Sequence, residues 1–165
     1  MIGEAEDTMR FRAGILAGLL LAAAGAADPS MPEKMLAAHN AARAAVKTRP
    51  LVWSERLAVL AQDWANLQIT RQGGLIHQKK SKYGENLYES IGGPATPEEV
   101  VKRWTSEAVD FDYKTNHCLA VCGHYTQVIW RDTKEVGCGV ARHGNREIWV
   151  CEYSPPGNYV GERPY

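Results

Sequence analysis

Along this chain the apolar positions recur with two periods. Met35, His39, Ala42 and Val46 return at helical spacing, which predicts a first helix. Ser30 and Glu33 stand before it as a capping box. Pro50 breaks the chain and Ser54 opens a second helix, with Leu57, Leu60, Ala61, Trp64 and Leu67 as its apolar face and Gly73-Gly74 as its end. Thr96-Pro97-Glu98-Glu99 starts a third with a capping box and a proline at the first helical position. Its apolar stripe reads Val100, Trp104, Ala108 and Phe111. The period then falls to two. Residues 136–141 and 148–153 read as strands, joined by a turn over residues 142–146 that is rich in turn formers. Residues 83–88 read as a shorter strand. Helices that are apolar along one face need a surface to cover, and a sheet between them supplies it.

The hairpin register has a chemical consequence. If Ala141 faces Ile148, then Val140 faces Trp149 and Cys138 faces Cys151. Directly opposed residues lie within disulfide reach. The chain has four cysteines, so Cys138–Cys151 leaves Cys118–Cys122 as the second bridge. A rival arrangement gathers His117, Cys118, Cys122 and His124 as zinc ligands, but their spacing fits no usual zinc pattern. Two disulfides are what an exported protein with an even number of cysteines is expected to form, and the N-terminus fits export. Arg10 and Arg12 precede an apolar run over residues 13–23, followed by the small residues Ala24-Gly25-Ala26-Ala27. Residues 1–27 are read as a signal peptide, with Met9 as an alternative start because residues 1–8 are acidic. The run is short for a membrane span. Residues 28–165 then form one domain. Charged residues make up 23% of the chain, its formal net charge is zero, and no basic stripe marks a nucleic-acid partner. Lys79, Lys80 and Lys82 read as a solvated loop. A monomer is expected.

The candidate chemistry centres on Gly123-His124-Tyr125-Thr126-Gln127-Val128-Ile129-Trp130. Glu107 falls on the same helical face as Val100 and Trp104. A carboxylate there needs a partner, and His124 is the candidate. No cysteine is left free to act as a nucleophile, and no Gly-x-Ser-x-Gly element is present. Thr126 reads as structural within its packed motif, and His39 as a satisfied residue on an apolar helix face.

Three separated motifs carry a resemblance. The stretch from Gly123 to Trp130, the element Gly84-Glu85-Asn86-Leu87 and the run Cys151-Glu152-Tyr153-Ser154-Pro155-Pro156-Gly157-Asn158-Tyr159 resemble, in order, the signatures of the CAP superfamily. That group holds cysteine-rich secretory proteins, insect venom antigens and plant pathogenesis-related proteins. The likeness spans residues 34–165 and is strongest to the plant branch, although one cysteine pair of that branch has no counterpart here. The resemblance implies an α+β fold, a three-layer α-β-α sandwich with a central, mostly antiparallel sheet. It implies the same disulfide pairing. It maps a His-Glu-Glu-His cleft tetrad onto His77, Glu85, Glu107 and His124, with zinc at His77 and His124 as a candidate metal site. It implies a secreted module, extracellular or periplasmic, that binds a lipid or sterol-like ligand or an extracellular protein partner. Two readings stand beside it: a zinc-dependent hydrolase using the tetrad, and an interaction protein whose tetrad only braces the fold.

Overall fold

The computed structural model describes residues 30–165. The expected signal peptide, residues 1–27 with its alternative start at Met9, lies outside the described residues. Helix α1 (Met31–Ala45) begins at Ser30, where Glu33 Oε2 accepts from the Ser30 amide at 2.6 Å and completes the capping box. Strand β1 (Val52–Trp53) leads into α2 (Glu55–Ile69), then β2 (Gly84–Ile91) and α3 (Pro97–Thr105). A 3₁₀ turn (Ser106–Asp110) and two short strands, β3 (Phe111–Asp112) and β4 (His117–Cys118), follow. The central motif folds as a short helix, α4 (Gly123–Val128), and the hairpin as β5 (Glu135–His143) and β6 (Arg146–Ser154).

Four strands form one sheet in the order β1-β5-β6-β2. β1 runs parallel to β5 and the other pairings are antiparallel. The hairpin has the register read from the sequence: Ala141 faces Ile148, Val140 faces Trp149 and Cys138 faces Cys151. Both expected disulfides form, Cys118–Cys122 and Cys138–Cys151. The Cys118–Cys122 bridge consumes the two thiolates of the alternative zinc cluster, and His117 Nδ1 instead meets the Thr115 carbonyl at 2.7 Å.

On one face of the sheet Trp149 and Tyr153 pack with Met35 of α1, Val100 and Trp104 of α3 and Val128 of α4. The other carries Leu87, Ile148 and Val150 against Ala61 and Ala65 of α2. This is the three-layer sandwich. The sequence reading put Leu60 and Leu67 on the buried face of α2, yet they are 37% and 58% exposed, while Ala65 and Gln68 are buried. The cause lies in β5. A Cβ on Gly137 would sit 2.2 Å from the Ala58 amide nitrogen, and one on Gly139 would sit 2.4 Å from Gln62 Cα. The helix backbone rests directly on these glycines, so the contact ridge is the small-residue side rather than the leucine side. The helix also ends at Ile69, before Gly73, which takes positive φ in the following loop. The third helix departs from expectation too. It stops at Thr105, and Ala108 lies exposed in the 3₁₀ turn.

Arg43 ties this frame to α4. It is fully buried and donates to the carbonyls of Arg49, Val128, Trp130 and Thr133 at 2.6–3.1 Å. Burial lowers its pKa to about 10, so it stays charged and satisfies the carbonyls at the C-terminal end of α4.

Candidate functional site

The four residues proposed as a tetrad form two His–Glu pairs. Glu107 leaves the 3₁₀ turn and reaches the start of α4. Its Oε1 lies 2.6 Å from His124 Nδ1, and its Oε2 accepts from the His124 amide at 2.9 Å and the Tyr125 amide at 3.3 Å. One carboxylate thereby takes up the free amides at the helix start and orients the imidazole. The ring stacks on Trp104 with 13° between the planes. The Trp104 indole in turn donates to the Leu87 carbonyl at 3.1 Å. Asn86 Nδ2 donates to the His124 carbonyl at 3.1 Å and lies 3.2 Å from the Tyr153 hydroxyl. His124 is therefore braced from α3, the 3₁₀ turn and β2 together, with Nε2 left without a partner among the described residues.

In the second pair His77 Nδ1 lies 2.5 Å from Glu85 Oε1, which also accepts from the Gln78 amide at 3.1 Å. The His77 side chain is 67% exposed and that of Glu85 5%. The Glu85 hydrogen bond, helped by its charge, raises the His77 pKa. Side chains alternate across β2. Leu87 packs on the α2 side and Tyr88 on the opposite side, so Glu85 faces α2 while Asn86 faces α4. The two pairs thus approach edge strand β2 from its two faces. No hydrogen bond or ion pair joins them among the described residues.

Sequence reasoning missed Glu152. It sits opposite Glu85 in the sheet and is fully buried. Both its oxygens, and Glu85 Oε2, have no partner among the described residues. Burial, with the Glu85 charge beside it, pushes its pKa up to about 8. Two carboxylates this close do not both ionise readily. Alternation held the signal: Ile148, Val150 and Glu152 share one inward face. The residues set aside at the outset behave as structural groups. Burial holds His39 down to about 4, and its nitrogens meet the Met35 carbonyl and Tyr153 hydroxyl, each at 2.8 Å. The Thr126 hydroxyl lies 2.7 Å from Asn158 Oδ1 and 3.1 Å from the Cys122 carbonyl.

The His124–Glu107 pair opens into a cavity of about 240 Å³ walled by Leu87, Tyr88, Arg103, Trp104 and Ser106. A second cavity, about 430 Å³, shares Tyr88, Arg103 and Ser106 with it and continues past Pro94, Ala95 and Lys102. The two form one groove along α3, in which Tyr88, Pro94 and Ala95 alternate with the polar Ser90, Glu99, Lys102 and Arg103, and the His124–Glu107 pair closes one end. Arg103 makes no side-chain hydrogen bond or ion pair among the described residues. A larger cavity of about 680 Å³ lies between α4, β4 and the C-terminal tail, and Thr126, Trp130 and Tyr159 are among its walls.

The sequence pattern of the CAP, or cysteine-rich secretory protein, family matches residues 36–153. The chain belongs to that family. It is 47% identical over 139 residues to pathogenesis-related leaf protein 4 of Solanum lycopersicum, covering 81% of this chain and 83% of the relative. It is 42% identical over 139 residues to a PR-1 type pathogenesis-related protein of Sambucus nigra, covering 81% of each. These relatives place it in the plant pathogenesis-related branch. Among solved structures, venom allergen-like protein 4 of Schistosoma mansoni superposes with a TM-score of 0.67 at 26% identity, over 83% of this chain and 94% of that one. In this CAP domain the family-signature helix α4 carries His124, and the Gly-Glu-Asn element carries Glu85. Among the described residues, no group of three or more His, Cys, Asp or Glu is arranged to hold a metal. The donor set is two separate His–carboxylate pairs, short of the three or four protein ligands of a zinc centre.

Proposed function

We propose that this CAP-domain protein is a secreted binding module that takes a sterol-like or other lipid along the α3 groove, with the ligand's polar end at His124 and Glu107. The groove carries this reading. It sets the apolar side chains Leu87, Tyr88, Pro94, Ala95 and Trp104 beside the polar Ser90, Glu99, Lys102, Arg103 and Ser106, with the His124–Glu107 pair at one end, so an apolar ligand body has walls to lie on and polar groups to orient it. His124 is fixed through Nδ1, so its free Nε2 is placed to exchange a hydrogen bond with a ligand hydroxyl or carboxylate. Secretion is supported by the leader-like N-terminus, by two disulfides and by the family. Among the described residues no helix is long and apolar enough to cross a membrane.

Hydrolysis finds less support. Neither His77 nor His124 hydrogen-bonds a serine, threonine or cysteine among the described residues, so no side-chain nucleophile is activated by an imidazole.

The test is titration of the mature, oxidised protein with a fluorescent sterol and a fluorescent fatty acid. Ser106 is exposed and lines both halves of the groove, so Ser106→Trp fills the groove without touching the core. At least one probe should bind saturably, unaffected by EDTA, and the variant should weaken it about tenfold or more, the loss of roughly 1.4 kcal/mol. Equal affinity in wild type and variant, or no binding of either probe, rejects the proposal.

A further inference from the structure

The end of α2 and the turn between β5 and β6 enclose a cavity of about 490 Å³ that shares no residue with the groove. Its walls carry Thr70, Arg71, Gln72, Arg142, His143 and Arg146, and no acidic residue. Three arginines rarely gather around one hollow without something to neutralise them, since like charges repel. The carboxylates nearest to hand lie behind the wall. Arg146 Nε donates to Glu89, and its Nη1 to the carbonyls of Ile69 at 3.2 Å and Arg71 at 3.1 Å. Arg142 Nε donates to Glu147, and its guanidinium lies over the Trp149 ring, 5.9 Å from the centroid.

These contacts hold two guanidinium groups in place without using them up. Nη2 of Arg146, both Nη atoms of Arg142 and the whole guanidinium of Arg71 have no partner among the described residues. The Arg146 side chain is 21% exposed, so its ordering cost is met by the fold rather than by a ligand. Glu89 and Glu147 offset two of the three positive charges. Arg71 supplies the excess, and His143 adds a further ionisable group on the same wall. Planar guanidinium forks match the oxygen spacing of tetrahedral oxyanions and bind them through paired, charge-assisted hydrogen bonds.

We propose that this cavity binds a tetrahedral oxyanion, the phosphate or sulfate group of a small anionic ligand, through Arg71, Arg142 and Arg146. The assignment is independent of the groove and of any ligand held there. Phosphate of two origins fits the same chemistry: a soluble phosphate compound, or the headgroup of a phosphorylated lipid.

Calorimetric titration with inorganic phosphate at low salt tests the site. Saturable one-to-one binding is expected, weakened by added salt and displaced by sulfate. Arg71→Gln removes a guanidinium that holds nothing in the fold, and its melting curve should match wild type. It should weaken phosphate by about tenfold, the scale of one lost charge-assisted pair. Arg142→Gln provides a second, independent variant. No saturation by about 50 mM phosphate, far weaker than any specific site, overturns the proposal. So does equal affinity in wild type and both variants. Co-sedimentation with phosphatidylcholine vesicles, with and without a phosphatidylinositol phosphate, separates the two origins. Arg71-dependent capture by the phosphorylated vesicles assigns a lipid headgroup. Phosphate binding without such capture assigns a soluble ligand. Either result upholds the site.

Discussion

Glu152 shows how one residue sets a property of the whole fold. Its carboxyl is fully buried beside Glu85, with no donor for either oxygen, and its pKa is pushed up to about 8. An unfolded glutamate releases its proton near about 4.3. Between those values the folded chain keeps a proton that the unfolded chain loses, so stability falls as pH rises. The contribution is fully present below the unfolded pKa and is gone once pH has passed the folded one. His77 acts in the same direction, because its raised pKa adds stability that is present below about 6.5 and lost above. Wild type should therefore melt several degrees lower at pH 8 than at pH 5. Glu152→Gln keeps the shape, removes the ionisation and lets the amide donate to Glu85. It should melt higher than wild type at pH 8 and show a much flatter profile, with only the opposed slopes of the two histidines remaining: His77 loses stability as pH rises, and buried His39, held down to about 4, gains it up to about 6.5. Differential scanning calorimetry across that range decides the matter. A variant that keeps the wild-type slope would show that Glu152 is not the group responsible.

At the scale of elements, the closest approach is α2 on β5. Gly137 stands under Ala58 and Ser54, where an added Cβ would fall 2.2 Å from one backbone nitrogen and 2.5 Å from a backbone oxygen. Neither atom belongs to a flexible side chain, so strand and helix must separate. Gly137→Ala should cost at the upper end of the about 1–3 kcal/mol seen for overpacking, a fall in melting temperature of roughly 10 °C for a domain of this size. Gly93→Ala, where nothing lies within 4 Å, is the matched control and should melt like wild type. Equal melting of the two variants would remove the close-contact account of the α2 face. That account also explains which elements were legible. The hairpin register could be read because strand alternation has a strict period and its cysteines lock one pairing. The buried face of α2 could not, because leucines advertise burial while the glycines that receive the helix lie some eighty residues downstream. Glu107 was assigned to His124 from α-helical spacing, yet it reaches His124 from a 3₁₀ turn. The cost of leaving a carboxylate unpaired identified the partner, while the local geometry stayed out of reach. The placement of His77 beside Glu85 had no signal in its polar loop and rested on motif resemblance alone.

For the molecule as a whole, the two disulfides divide the labour between core and site. Cys138–Cys151 crosses the two central strands, with both residues buried at 2% and 0% exposure. Cys118–Cys122 closes the loop that delivers the chain into α4, and Cys118 is exposed. Constraining the unfolded chain over the 13-residue separation of the first bridge is worth about 3 kcal/mol. The second, with a separation of four, is worth about 2 kcal/mol. A reductant reaches a sulfur only through solvent, so the order of opening follows exposure rather than loop length. Graded reduction followed by alkylation and peptide mapping should label Cys118 and Cys122 first, while the sheet persists and the protein still melts cooperatively. Labelling of Cys138 and Cys151 should coincide with global unfolding, because their sulfurs are accessible only when the β5–β6 pair separates. The intermediate with one bridge open is the informative species. Glu107 holds α4 through the amides of His124 and Tyr125, whereas Cys122 stands directly before that helix. Losing the bridge should loosen the start of α4 and weaken the lipid binding proposed for the groove, while the phosphate binding proposed at the β5–β6 turn stays unchanged. Simultaneous labelling of all four cysteines would mean that the site and the core open as one unit, and that the exposed bridge gives α4 no separate support.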